Sequence, residues 1–430
     1  VSGEKPRQIA AQVLQQHRDS GDFIEKLLER ALHQANLTAA DRRLCQELTY
    51  GVVRWQATLD WLIDLKTDDR PRKPLLQTLL RLGLYQIFWL DRIPDHAAVD
   101  ETVELARHSG LGRQTGFVNA LLRGFLRESD ATRQRLAGLR AEQPHLGYSH
   151  PQWLVRRWQS RWGPDKTSTL LEWNNTPPGI HARLNTLRVD LDRLLERWQQ
   201  ETVAYNVVGR DWYAENLVFE LKSHPPLLSL PSFQQGAFYI QDPSTLIAVT
   251  ELNPRPGESI LDLCAAPGGK ATFIAELMRN EGLVVAHDNT LDRLKLLEEN
   301  CKRLGVTCIR TALPSTLGPQ PSTFDRILVD APCSNTGVLR RRVDLRWRIR
   351  PEEIQRLAAA QFALLEQAVP LLKPGGTLVY STCSLEPEEN QEVTRRFLND
   401  HNDFQLQHER ELLPFVDLVD GAYVARLRLS

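Results

Sequence analysis

At 430 residues the chain is long enough for two or three domains, each with its own buried core. Its composition is ordinary for a globular protein, 42% hydrophobic and 25% charged, without low-complexity tracts, internal repeats or an apolar run long enough to span a membrane. The net charge of −1 gives no global basic signature, so any nucleic-acid contact must come from a local patch.

The opening residues, Val1-Ser2-Gly3-Glu4-Lys5, lack the basic-then-apolar pattern of a secretory signal, so a cytoplasmic monomer is expected. The missing initiator Met suggests a trimmed start. Six cysteines without a C-x-x-C pair read neither as a disulfide framework nor as a zinc module, and no metal is expected.

Residues 1–145 read as a helical bundle. Apolar residues recur at helical spacing in Ile24-Leu27-Leu28-Ala31-Leu32, in Leu75-Leu76-Leu79-Leu80 and in Phe117-Val118-Leu121-Leu122-Phe125. Stop and start signals separate them: Thr38 with Asp41 three residues on, Arg70-Pro71, and Ile93-Pro94-Asp95. No cluster of catalytic residue types lies here, which suits a docking module. Residues 146–232 form a small mixed linking segment, opening with the Trp-rich stretch Trp153–Trp162 and broken at Pro177-Pro178 and Pro225-Pro226.

From residue 233 to 430 the pattern becomes α/β. Short apolar strands are expected at Ile260–Leu263, Leu283–Ala286, Arg326–Val329 and Thr377–Tyr380, the last after a Lys373-Pro374-Gly375-Gly376 turn. Helices are expected around Thr272–Leu277, Leu291–Leu304 and Glu352–Val369. The alternation predicts a Rossmann-like, mostly parallel sheet whose ligands bind at the carboxyl ends of the strands.

Four loops fall on that edge. Cys264-Ala265-Ala266-Pro267-Gly268-Gly269-Lys270 follows a strand and opens a helix, so its backbone can approach a ligand closely. A Walker loop is excluded, because Cys264 and Ala271 occupy places that need Gly and Ser or Thr; the dinucleotide G-x-G-x-x-G is absent too. A nucleoside cofactor without a pyrophosphate, such as S-adenosylmethionine, fits better. Asp288, about twenty residues on, stands where such sheets place a ribose-binding acid. Asp330-Ala331-Pro332-Cys333-Ser334 and Ser381-Thr382-Cys383-Ser384 end the next two strands, and their cysteines share one cleft if those strands are neighbours.

Two thiols and an acid beside a methyl donor suit methylation of cytosine at C5. That carbon is a poor nucleophile until a thiolate adds to C6, and a free thiol near pKa ~8.5 needs help to ionise. The pattern does not order the two cysteines or name the helper. A run of arginines (Arg340, Arg341, Arg342, Arg346, Arg348, Arg350) with Trp347 among them is the candidate RNA patch.

LDLCAAPGGKA, FDRILVDAPCSNTGVLRR, Leu345-Arg346-Trp347, LLKPGGTLVYSTCSLEPEEN and Gln241-Asp242-Pro243-Ser244 together resemble the Sun family of RNA cytosine-5 methyltransferases. RLGLYQIFWLDRIPDHAAVDETVELAR and GFVNALLRGF resemble NusB-type RNA-binding domains. The combination implies the branch that acts on bacterial small-subunit (16S) ribosomal RNA. It implies Cys383 as nucleophile, Cys333 as the thiol that assists release, and Asp330 at the target base and cofactor edge. It assigns Cys264 to Lys270 and Asp288 to S-adenosylmethionine; within the arginine patch, Arg340, Arg341, Arg346 and Trp347 are the expected RNA contacts. Two departures stand out: Ile309-Arg310-Thr311-Ala312-Leu313 lacks the family's acid after the third strand, and Arg342-Val343-Asp344 replaces His-Pro-Asp. The alternatives are the same reaction on transfer RNA, or a non-catalytic assembly factor on a decayed methyltransferase fold.

Overall fold

A computed structural model describes residues 5–67, 72–313 and 322–430. The chain divides into two compact units, Val1–Thr176 with Leu339–Arg348, and Pro177–Val338 with Ile349–Ser430. Among the described residues no helix is long and apolar enough to cross a membrane.

The first unit is helical throughout. Thr38 caps the helix Ala39–Arg54 by accepting the Asp41 N–H at 3.1 Å, and the Pro94-Asp95 signal opens the helix Asp95–His108. The Arg70-Pro71 signal lies outside the described residues. Leu27, Leu28, Leu79, Leu80, Val118, Leu122 and Phe125 are buried together, while Phe117 is left exposed at the margin of its stripe. The Trp-rich stretch becomes the first half of a helix, Gln152–Asn175, broken at Gly163 (φ 81°) and Pro164. By contact this helix belongs with the helical unit, although its sequence opens the linking segment.

The second unit carries two sheets. β1 (Ile180–Leu184), β2 (Ala204–Val208), β3 (Val218–Ser223) and β4 (Phe238–Ile240) form an antiparallel sheet in the order β2-β3-β1-β4. β5 (Ser259–Asp262), β6 (Leu283–His287), β7 (Ile309–Ala312), β8 (Phe324–Asp330), β9 (Leu372–Thr382), β10 (Phe404–Leu412) and β11 (Ala422–Leu429) form the larger one, in the order β10-β11-β9-β8-β5-β6-β7. The run β9-β8-β5-β6-β7 is parallel, and β11 and then β10 add on by antiparallel pairing. Helices Gly269–Leu277, Leu291–Leu304 and Pro351–Ala368 lie where the 3.6-residue pattern places them.

The central strands are apolar end to end because helices cover both faces: Ile327, Leu328, Val329, Leu378, Val379 and Tyr380 are all fully buried. The glycine turn at Lys373–Gly376 survives as an irregularity inside β9. Phe324 pairs with Leu372 and Arg326 with Thr377, so β8 advances two residues while β9 advances five, with Gly375 at φ 70°. The strand order reverses at β5, with β6 on one side and β8 on the other. That reversal opens a crevice at the carboxyl ends of the strands.

Candidate active site

β8 and β9 are parallel neighbours with Asp330 opposite Ser381, so the two cysteine loops leave the sheet side by side. The Cys333 and Cys383 sulfurs lie 2.8 Å apart as free thiols. The Cys383 backbone N–H points at the Cys333 sulfur at 3.3 Å, and the Cys383 thiol reaches Asn335 Oδ1 at 3.2 Å. The two differ in setting. Cys333 is buried, and burial together with the neighbouring Cys383 and Glu389 pushes its thiol well above the ordinary range. Cys383 is only partly buried.

Lys270, in the first turn of the helix Gly269–Leu277 after β5, reaches across to the end of β8. Its Nζ lies 2.7 Å from Asp330 Oδ2, while Ser381 Oγ donates to Asp330 Oδ1 at 2.7 Å. Burial opposes the Lys270 charge, but Asp330, Cys383 and Asp262 outweigh it and hold the ammonium above its usual pKa. The lysine of the Gly-rich loop is thus held at Asp330, which sits opposite Ser381 on the strand that leads into Cys383. Its position at the end of that motif placed it only with the cofactor; the fold brings it to Asp330 on β8 as well.

The Gly-rich loop is tightly built. The Ala265 N–H donates to His287 O at 2.9 Å and the Gly268 N–H to Ala265 O at 2.8 Å, and the Ala266–Pro267 peptide is cis. Gly268 sits at φ 104°, where a Cβ would meet Leu297 at 2.9 Å, and a Cβ on Gly269 would meet Tyr239 at 3.2 Å. Arg183 on β1, wholly buried, donates to Gly269 O at 3.0 Å and pairs with Glu276 at 2.5 Å, fixing the helix that starts there. Asp288 ends β6 as expected. It accepts the Ala266 N–H at 3.3 Å and the Thr290 N–H at 3.2 Å, with Arg293 at its carboxylate.

Asp262, at the end of β5, carried no motif signal of its own beyond being an acid before the glycines. It is fully buried and neither oxygen has a well-formed hydrogen bond among the described residues. Burial, then the Asp330 charge, pushes its carboxyl up to about 7, with Lys270 and the Cys264 N–H pulling back. Burial likewise raises the Cys264 thiol, aided by Asp262 and Asp330, so Cys264 stays neutral. A cradle that only glycine fits and an orphaned buried carboxylate beside it suit a cofactor bearing a nucleoside and a free ammonium. Beside β7, where the family's acid is missing, the Thr311 hydroxyl donates to Glu298 at 2.8 Å.

The arginine patch is corrected by the structure. Leu339–Arg348 belongs to the helical unit, with Val343 in its core. Arg346 has no exposed surface; its guanidinium donates to Asn174 O at 2.9 Å, Asn175 Oδ1 at 2.8 Å and Ser149 O at 3.2 Å. Trp347 Nε1 donates to Val53 O at 2.9 Å, and the Arg340 guanidinium lies 3.9 Å from the Trp173 ring centroid while almost wholly buried. Asp344, in the altered His-Pro-Asp position, caps Ile24 N–H at 3.0 Å and pairs with His17 and Arg348. Arg346 and Arg340 are therefore buried away from phosphate, and the Trp347 indole N–H is spent inside the helical unit. Of the residues assigned to RNA, Arg341 and Trp347 keep partial exposure, and the neighbouring Arg342 is exposed.

Comparison with known proteins agrees in each region. The family model for 16S rRNA methyltransferase RsmB/F matches residues 249–427, the NusB family matches 4–127, and the ferredoxin-like domain of RsmF/B-like methyltransferases matches 150–217. The chain is 39% identical to a probable ribosomal RNA small subunit methyltransferase B from Synechocystis sp., over 93% of this chain and 90% of that one. It is 37% identical to ribosomal RNA small subunit methyltransferase B from Escherichia coli, over 98% of both. A methyltransferase homolog from Pyrococcus horikoshii superposes at TM-score 0.59 with 31% identity, over 66% of this chain and 97% of that one. With relatives this similar along nearly its whole length, the chain belongs to the RsmB/F family of 16S rRNA methyltransferases.

Proposed function

We propose that the protein methylates C5 of a cytosine in small-subunit ribosomal RNA, using S-adenosylmethionine and a transient bond between Cys383 and C6 of the base. The observation that carries this is the thiol pair, 2.8 Å apart at the ends of neighbouring strands, with the Lys270–Asp330 ion pair at the end of one of them. The relatives' names point to ribosomal RNA as the substrate, and the NusB-like region supplies an RNA-docking module.

The target base must leave any stack to reach a sulfur in the crevice. Lys270 stabilises the Cys383 thiolate by its charge, and the thiolate forms the Sγ–C6 bond, pushing an electron pair through the ring. The Lys270–Asp330 pair meets the negative charge that develops towards N3. When bound, S-adenosylmethionine supplies a methyl group on a sulfonium, to which C5 becomes nucleophilic. Gly268, Gly269 and Asp288 would hold the nucleoside, and Asp262 the ammonium. After transfer the C5 proton leaves to solvent, the C6–Sγ bond breaks and its electron pair returns to Cys383. Cys333, kept as a neutral thiol, gives its S–H to the departing sulfur, which fits it for release.

A trapping experiment tests this. The Cys333→Ala variant, with S-adenosylmethionine and protein-free small-subunit ribosomal RNA, should accumulate a protein–RNA adduct that survives denaturation. Adding Cys383→Ala should abolish it. An adduct that persists without Cys383, or no adduct and no methyl transfer by the unaltered chain, would overturn the reading. Adduct formation with transfer RNA alone would redirect it to that substrate.

A further inference from the structure

Glu389 is wholly buried, yet among the described residues no cation pairs with it. A buried carboxylate without a counter-ion is costly and persists only where several donors compensate it. Four do. The Ser334 N–H donates to Oε1 at 2.8 Å, the Ser334 and Ser384 hydroxyls both donate to Oε2, and Gln361 Nε2 donates to Oε1 at 3.0 Å. Gln361 also donates to Pro332 O at 3.0 Å, adding a hold on the first loop. Burial pushes the Glu389 carboxyl up and these bonds pull it back; every one is received by Glu389, the pattern of an ionised carboxylate.

The donors are informative by their places. Ser334 directly follows Cys333, and Ser384 directly follows Cys383. Two loops from different strands therefore hang on one carboxylate, one residue away from each sulfur. Resting on the transfer reading above, we propose that Glu389 is the positioning residue of the thiol pair, its single carboxylate fixing the Cys333 loop against the Cys383 loop and placing a negative charge behind Cys333. Neutral glutamine would match its shape and keep part of the hydrogen bonding. What glutamine would lose is the charge, which is felt at Cys333 alongside burial and Cys383. Glu389 thereby marks out one of two otherwise similar thiols: Cys333 stays protonated as the donor.

Two variants test this in the full chain. Glu389→Gln should shift the pH profile of Cys333 alkylation by iodoacetamide, read by peptide mass spectrometry without RNA, downward by about one pH unit. It should lower kcat about tenfold or more with KM for both substrates within about threefold, because release from the adduct slows. Ser384→Ala keeps the charge but cuts the link to the Cys383 loop. It should leave the Cys333 profile in place and slow adduct formation about tenfold. A Glu389→Gln protein with the parent's alkylation profile and turnover would overturn the proposal, as would an unfolded Glu389→Gln protein together with unaltered turnover in Ser384→Ala. A shifted profile in a chain that never forms an RNA adduct would support the charge role and sink the transfer reading instead.

Discussion

Lys270 Nζ lies 2.7 Å from Asp330 Oδ2, joining the Gly-rich loop after β5 to the first cysteine loop after β8. Ser381 on β9, two residues before Cys383, donates to the same carboxylate at 2.7 Å, so one ion pair links the glycine loop to both cysteine strands. Lys270→Met should therefore slow methyl transfer on the order of a hundredfold or more, the usual scale for removing one preorganised charge from a transition state. Alkylation of Cys383 at neutral pH should slow in parallel. Single-turnover kinetics and iodoacetamide labelling would check both, and unchanged labelling would remove Lys270 from thiolate stabilisation.

Asp262 titrates near 7, so it carries its charge only above that pH. If it holds the cofactor's ammonium, affinity for S-adenosylmethionine should climb between about pH 6 and 8. Asp262→Asn should bind about tenfold more weakly at pH 8 and lose the slope, by calorimetry. The sign for stability is opposite. The free native state keeps this proton up to about 7 while the unfolded chain sheds it near 3.8, so stability falls as pH rises through that window. Asp262→Asn should flatten that fall.

Gly268 combines φ 104° with a Cβ position 2.9 Å from Leu297. Gly268→Ala should cost about 1–3 kcal/mol of strain in the loop and weaken cofactor binding. The helix that follows is held separately by Arg183, so the far-ultraviolet spectrum should change little. Calorimetry with unaltered affinity would show that the loop can relax.

Arg346 spends its guanidinium on carbonyls of the helical unit. Removing it leaves several buried acceptors unsatisfied, and Arg346→Leu should lose about 3 kcal/mol in denaturant unfolding. Lysine should not rescue it, because a point charge cannot reach the same fork of acceptors. RNA affinity of the folded fraction should stay unchanged. A stable variant with weakened RNA binding would restore the phosphate role that burial excludes.

Much of the site was legible because its elements are local. The Gly-rich loop, Asp288, Asp330 and the two cysteines each sit at the end of an apolar run, and such runs declare themselves as strands by composition alone. Asp262 and Glu389 were not legible. Their chemistry comes from burial and from partners many residues away, and an acid in a sequence looks the same whether it faces water or a closed core.

The arginine run shows the same divide from the other side. As a string, Arg340 to Arg350 reads as a solvated basic face, because charge in sequence is ordinarily charge on the surface. The sequence by itself determined the strand and helix order and the family, since those rest on periodicity and short contiguous motifs. Only the tertiary structure decided which arginines are solvent-facing, which lysine pairs with Asp330 and which carboxylate ties the two thiol loops. Those outcomes depend on which strands lie side by side and which side chains lose their water, and neither is written in local spacing.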